Sequence, residues 1–296
     1  MKKQLAFYLE REKIINFIRK FFIGQGFHEV ITPILNSSIP FEPNIYPFKT
    51  QWTTSLGCKE FYLPTSPEKN LKKMISIGMK NCFSIGHSFR NLEAAGSLHT
   101  PEFLMLEWYR ENADYKIIMS DTKKLLSSLD VKFTEGWEIF SLEDLFNKYA
   151  KLELKEIIQN EQKLFDYAKK KGYQIEGSSW SELYDQIFVN EIEKKLPKKQ
   201  CFIIDFPSRI SPLCKPKKDK AYLAERFELY IDGIELANGN TENTDIKSVK
   251  SGLRKPLDRE FLDSLRKMKN ATYAGIGLGI DRLTMLISNH SSLDLH

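Results

Sequence analysis

The chain has 296 residues, 42% hydrophobic and 28% charged, with a formal net charge of +5. This is a globular composition, long enough to bury one large core or two smaller ones. No apolar run approaches the ~20 residues of a membrane span, and Met1 to Arg19 lacks the apolar stretch of an export signal. Four scattered cysteines (Cys58, Cys82, Cys201, Cys214) without CxxC spacing argue against a disulfide framework or zinc site and suit a reducing cytoplasm. The positive charge is compatible with an anionic partner and equally with a merely soluble surface.

Residues 5–22 read as an amphipathic helix, with Leu9, Ile14, Ile15, Ile18, Phe21 and Phe22 at helical spacing. Gly24 and Gly26 end it, and Phe27–Pro33 reads as a strand closed by proline. A short strand then leads through Thr65–Ser66–Pro67 into a second helix, whose first turn suits Pro67. Cys82–Phe89 and Phe103–Tyr109 alternate as strands, the second with Phe103, Met105, Glu107 and Tyr109 on one face and Leu104, Leu106 and Trp108 on the other. Helical stretches follow at roughly 115–129, 141–149, 155–171 and 180–195, and residues 201–206 read as a buried strand. Phe227–Ile231, Asp232–Gly233 and Ile234–Asn238 form a hairpin signal. Strands in hairpins with segregated helices point to an α+β class: one domain spanning 1–296, an antiparallel sheet flanked by helices, and a helical insertion around 110–200.

Three stretches break the apolar pattern. Ser88–Phe89–Arg90–Asn91, Glu93 and His99–Thr100–Pro101–Glu102–Phe103 place an arginine, a polar loop and an aromatic between two strands. Such a hairpin could cradle a nucleotide, the guanidinium meeting phosphate or carboxylate, or could simply be salt-bridged. Glu235 to Glu242 gathers carboxylates and amides where a strand should end, suited to Mg²⁺, to an amine, or to plain solvation. In Gly275–Ile276–Gly277–Leu278–Gly279, alternate glycines strip one face of a strand, for a ligand or for close packing, and Arg282 follows in the first turn of a helix. No Walker-type phosphate loop is present.

The order of these stretches resembles the class II aminoacyl-tRNA synthetases. Gly26–Pro33 looks like the dimer-forming motif 1 of that class, Phe89–Glu107 like motif 2 and Gly275–Leu286 like motif 3. Within the class, TSPE at 65–68, HTPEFLMLEWYR at 99–110, AERFELYIDGIELANG at 224–239 and GIGLGIDRL at 275–283 are similar to the lysine-specific branch. They are closer still to its truncated paralogues, the elongation factor P–lysine ligases. The resemblance covers nearly the whole chain, and is specific at the motifs and vague across 130–200.

The resemblance implies a fold, that of the class II catalytic core, and an activity. ATP and Mg²⁺ would activate α- or β-lysine to lysyl-adenylate, and elongation factor P would accept the lysyl group on a lysine. Arg90 and Arg282 would grip the phosphates, Phe103 would stack on adenine, and Asn91, Glu93, His99 and Thr100 would contact the nucleotide. Glu235 would hold Mg²⁺, with Leu236 and Gly279 lining the ATP site. Ser66, Pro67 and Glu68 would meet the amino end of the substrate, while Glu107, Tyr109, Asn238 and Glu242 would take its far ammonium. Leu92 is an insertion relative to the family, and Thr100 stands where asparagine is usual. Gly277 matches the synthetases and α-lysine, whereas alanine is usual in the ligases and goes with β-lysine; Ser66 is ligase-like. A homodimer is implied, without membrane contact. Motif 1 begins near residue 26 and few residues follow Arg282, so no anticodon-binding domain and no anticodon-reading contact with tRNA are expected. The alternatives are a stand-alone lysine activator serving another acceptor and a non-catalytic amino-acid sensor. A sensor would not need both arginines and the Mg²⁺ carboxylate.

Overall fold

The computed structural model describes residues 2–39, 45–92, 96–290 and 292–293. The first amphipathic segment forms a helix somewhat longer than its periodic stretch, α1 (Lys2–Gly24). Phe7, Ile14, Ile18 and Phe22 form its buried stripe, whereas Leu9, expected on that face, points to solvent. The strand expected over Phe27–Pro33 shrinks to β1 (His28–Glu29), which runs parallel to β4 (Cys82–Phe89). Ile31 projects outward, 95% exposed. The short strand expected ahead of Thr65 is the end of β3 (Gly57–Tyr62), which pairs with an unanticipated β2 (Lys49–Thr54) in a separate two-stranded sheet. Its residues are mostly exposed, so no core-facing alternation announces it.

Pro67 stands at the N-cap of α2 (Glu68–Ser76). The chain continues through β4 into β5 (Glu102–Glu111), the antiparallel partner of β4 from Cys82↔Tyr109 to Phe89↔Glu102. Next comes α3 (Tyr115–Leu129), capped by the Asp114 carboxylate, which accepts from the Lys116 and Ile117 amides. Strands β6 (Glu138–Ser141) and β7 (Cys201–Ile204) bracket four helices: α4 (Leu142–Leu145), α5 (Leu154–Gln159), α6 (Glu161–Lys171) and α7 (Trp180–Ile187). The single helix expected over 155–171 breaks at Asn160, whose side chain caps α6 by accepting from Gln162 N–H. These helices bury a core of their own, including Phe146, Leu164, Trp180, Leu183 and Ile192. Helix α3 instead contributes Ile118, Leu125 and Leu126 to the main core, so the separately packed helices start at Leu142.

Strands β8 (Arg226–Ile231) and β9 (Ile234–Thr241) join through Asp232 and Gly233, both at positive φ (53° and 79°), the conformation of the expected tight hairpin turn. Two helices, α8 (Ile246–Gly252) and α9 (Arg259–Met268), precede β10 (Tyr273–Gly279) and α10 (Ile280–Ile287). The main sheet has the order β1-β4-β5-β10-β9-β8-β7-β6, antiparallel except at its two edges. Its alternating residues divide the two faces. Phe83, Leu106, Trp108 and Ile276 pack one face against Ile18 and Phe22 of α1, Ile118 of α3 and Leu283 of α10. The Phe22 ring lies 5.0 Å from Trp108 and 5.1 Å from Phe83. Full burial of each such side chain is worth about 1.5–3 kcal/mol.

The opposite face carries Met105, Glu107 and Tyr109, and across from them Gly279, Gly277 and Gly275. A methyl on Gly275 would stand 2.3 Å from Cε1 of the Tyr109 ring, so here the missing side chain is filled by packing. At Gly277 the first neighbour is the Met105 sulfur at 3.4 Å. Three cysteines, Cys82, Cys201 and Cys214, are buried, Cys58 on β3 is exposed, and all four are unpaired. Burial pushes the three enclosed thiols up to about 12. No helix of the described residues is long and apolar enough to cross a membrane.

The different surroundings of the two glycines set different costs. Gly275→Ala should destabilise the protein by about 1–3 kcal/mol, the usual penalty of overpacking. Gly277→Ala, facing a flexible thioether, should cost less. Urea unfolding of both variants checks the ordering.

Candidate active site

The sheet register assembles the site. Glu107, Gly277, Asn238 and Glu228 stand abreast on β5, β10, β9 and β8, and in the next row so do Tyr109, Gly275, Asn240 and Arg226. The glycines open a trough between these polar flanks, continuous with a cleft of about 960 Å³. Of the residues singled out in the sequence, Ser66, Glu68, Arg90, His99, Thr100, Phe103, Glu107, Tyr109, Glu235, Leu236, Asn238, Gly277, Gly279 and Arg282 line this one cleft. Asn91, Pro67 and Glu242 are outside its lining, and Glu93 lies outside the described residues.

At one end of the cleft are the two arginines. Arg90 follows β4, its guanidinium 5.2 Å from the Phe103 ring centroid, and its Nε donates to the Thr65 carbonyl at 3.5 Å. Arg282, in the first turn of α10, donates through Nη1 to the Glu235 carbonyl (2.7 Å), and its Nη2 lies 3.1 Å from His99 Nε2. The Glu235 carboxylate is 3.7 Å from the same Nη1. Asp281, which the sequence reading left without a role, anchors this corner. It accepts from the Leu104 amide at 2.6 Å and pairs with Arg11 of α1 at 3.0 Å. Thr100 donates from Oγ1 to the Glu102 carbonyl at 2.7 Å, and half-buried Asn91 accepts from the Leu92 amide at 2.9 Å. Leu92 takes a left-handed backbone (φ 59°) and points its side chain to solvent.

At the other end the slot is acidic. Glu107 is buried and accepts from the Tyr109 hydroxyl at 2.8 Å. Glu68, at the start of α2, accepts from Lys72 one turn on, and Lys72 Nζ also lies 2.7 Å from Glu242. Lys72 is fully buried, with the faces of Tyr109 and Phe261 at 5.8 and 5.7 Å. Burial alone would lower its pKa, but the two carboxylates hold it above the ordinary lysine value. Burial pushes Glu242 the other way, up to about 7, against the pull of Lys72. Sequence reasoning passed over Lys72 because lysines on a short helix are normally solvated. The signal available was its place four residues after Glu68, on the same helical face.

For a divalent metal the donor set is sparse, since no group of three or more His, Cys, Asp or Glu able to hold one occurs among the described residues. One of the cleft carboxylates, such as Glu235, would suffice for Mg²⁺, which usually takes one or two carboxylates and completes its shell with water and substrate phosphates.

Comparison with known proteins decides the family. The family described as tRNA synthetases class II (D, K and N) matches residues 2–294. The chain belongs to the class II aminoacyl-tRNA synthetases. It is 36% identical over 288 residues to an Aquifex aeolicus protein named elongation factor P–(R)-beta-lysine ligase homolog, covering 94% of each chain. It is 33% identical to the elongation factor P–(R)-beta-lysine ligase of Proteus mirabilis, over 95% of this chain and 91% of that one. It is also 33% identical to the lysine–tRNA ligase of Wigglesworthia glossinidia brevipalpis, over 99% of this chain but 64% of that longer protein. The class II α+β core, with its largely antiparallel sheet flanked by helices, is the fold expected from the sequence.

Proposed function

We infer that this enzyme activates lysine with ATP and passes the lysyl group to a lysine side chain of elongation factor P. The observation that carries this reading is one cleft with two arginines and an aromatic ring at one end and an acidic slot at the other. The names of the two relatives matched over nearly their whole length support the acceptor. In the first step an oxygen of the lysine carboxylate attacks the α-phosphorus of ATP and pyrophosphate leaves. In the second, the acceptor amine attacks the carbonyl carbon, loses a proton and releases AMP. Arg90 and Arg282 neutralise the phosphates, Phe103 stacks on adenine, and His99 and Thr100 border the nucleotide; Leu236 and Gly279 complete its floor. Glu235 would hold Mg²⁺, whose charge offsets that of the departing pyrophosphate. Ser66 and Glu68 meet the amino end of lysine; Glu107, Tyr109 and Asn238 take its far ammonium, with Glu242 behind them. Both steps need mainly positioning and charge neutralisation, which is what this wall provides.

Purified protein should catalyse lysine-dependent ATP–pyrophosphate exchange and transfer radiolabelled lysine to elongation factor P in preference to tRNA. Arg282→Ala should lower the exchange rate about 10²-fold, the scale of losing one charge-stabilising donor. Undiminished exchange in that variant would remove the assignment. An amino-acid sensor would show no exchange at all.

The choice of lysine isomer turns on Gly277, which lies across from Glu107, where an added methyl would stand 3.4 Å from the Met105 sulfur and 3.9 Å from Glu107 Oε2. We expect α-lysine to be used at least as well as β-lysine. Gly277→Ala should shift the ratio of kcat/KM toward β-lysine by no more than about 1–3 kcal/mol, the worth of one methyl in a pocket. A strong β-lysine preference in the unaltered protein would give the choice to Ser66 and its neighbours.

The protein also works as a homodimer in this reading. Ile31 is 95% exposed beside β1, with Ile23, Ile34 and Leu35 also exposed nearby in sequence. An exposed apolar stretch of this kind marks an interface. Light scattering should give a dimer mass at micromolar concentration, and Ile31→Asp should move it toward the monomer. A clean monomer before substitution would count against the assembly.

A further inference from the structure

Between β4 and β5, residues Gly96, Ser97, Leu98 and His99 form a tight turn, closed by the His99 amide, which donates to the Gly96 carbonyl at 3.3 Å. Ser97 and His99 are exposed. Fixing an exposed turn costs conformational entropy at every residue, so it keeps one position only where contacts hold it. Two sets of contacts do so here. In the first, Arg282 donates from Nε to the Leu98 carbonyl at 3.4 Å, and its Nη2 lies 3.1 Å from His99 Nε2. The second comes from the segment after α10, where the Leu293 amide donates to the Ser97 carbonyl at 2.8 Å.

Side chains complete the second set. Leu293 is buried with Phe7 of α1 and Met285 of α10 in a small core of their own, and the half-buried side chain of Leu98 packs against it. Ile234, the first residue of β9, packs there too. It precedes Glu235, whose carbonyl accepts from Arg282 Nη1 at 2.7 Å. The groups that orient Arg282 therefore sit on Leu98, on its neighbour His99 and on the neighbour of Ile234. Leu98 and Leu293 both line the cleft.

We propose that Leu293 is a positioning residue for the nucleotide end of the cleft. Through its amide and its side chain it holds the Gly96–His99 turn, so that His99 and the Leu98 carbonyl fix the Arg282 guanidinium before ATP arrives. A wall set in advance spares the bound state the cost of ordering it. The inference rests on the reading that Arg282 and His99 face the nucleotide, and adds a residue that reading does not use. The role has a signature that plain packing lacks. A leucine that only packs would lower stability and leave ATP affinity as it was, whereas a positioning leucine acts on ATP and not on lysine at the acidic end.

The test is ATP binding to the whole protein, measured by calorimetry without lysine, with the lysine KM in pyrophosphate exchange followed alongside. Leu293→Ala removes most of the apolar contact and should weaken ATP binding about tenfold, equivalent to about 1.4 kcal/mol, with the lysine KM unchanged. Leu293→Met keeps the apolar volume and should restore the wild-type affinity. Leu98→Ala removes the other half of the contact and should give a similar loss. Because the two side chains act through one contact, Leu98→Ala/Leu293→Ala should bind ATP no more weakly than the worse single variant. Additive losses would mean that each leucine meets the nucleotide independently, and overturn the positioning role. A Leu293→Ala protein with a lowered melting temperature and unaltered ATP affinity overturns it too, as does an equal weakening toward ATP and lysine. Should Leu293→Ala not fold, Leu98→Ala carries the test, and unaltered ATP affinity in that variant overturns the inference. Absence of ATP binding by the wild-type protein overturns the nucleotide reading itself. Normal ATP binding that Leu293→Ala leaves untouched removes only the role of Leu293.

Discussion

A strand in the middle of an eight-stranded sheet ordinarily packs side chains on both faces, and past Tyr273 β10 packs them on one. Ile276 and Leu278 go into the core below, while Gly275, Gly277 and Gly279 leave the upper face bare. Glycine in a strand is unfavourable in itself, for it gives up conformational entropy and buries nothing. The cost is offset by what surrounds it: the Tyr109 ring fills the space over Gly275, and Glu107 of β5 and Asn238 of β9 stand on either side of Gly277. The trough, the acidic slot and the placing of Arg282 at the end of the same strand all follow from that bare face.

Charge is distributed along the trough with equal economy. Arg90 and Arg282 stand at the end where phosphate charge would be delivered, and buried Glu107 and Glu242 stand toward the other. Each arginine is held in place by backbone carbonyls: Arg90 by that of Thr65, Arg282 by those of Glu235 and Leu98. A carbonyl orients a guanidinium through its N–H groups, and for Arg282 the Glu235 carboxylate stands 3.7 Å from Nη1 as well. Asp281 does for the backbone what these carbonyls do for the side chains. By joining α1, β5 and α10 it fixes the corner from which Arg282 projects.

Much of this was legible from residue order. The alternation of Phe103–Tyr109 separates core from cleft as the structure does, Asp232–Gly233 makes the hairpin turn, and the glycine strand lies across from the acidic residues. What escaped reading shares a physical cause. Strand β1 is two residues long because its pairing ends before Ile31, and nothing local distinguishes an outward isoleucine from a buried one. The β2–β3 hairpin has little apolar face to betray it. The break at Asn160 is a capping choice that periodicity smooths over. Lys72 is the sharpest case. Its burial depends on Glu242, 170 positions further along the chain, and no window of sequence contains both. Local pattern gives faces and turns, whereas the pairing of buried charges is a property of the closed fold.

The state of the cysteines has a practical side. Three thiols are sealed in the interior with their ionisation pushed toward strongly alkaline pH, and the thiolate is the form that reacts. Only Cys58 is open, on a hairpin that belongs to a sheet of its own and supplies nothing to the lining of the cleft. At neutral pH the native protein therefore offers a maleimide dye a single point of attachment. A reporter can be placed there without engineering, on a hairpin outside the lining of the cleft.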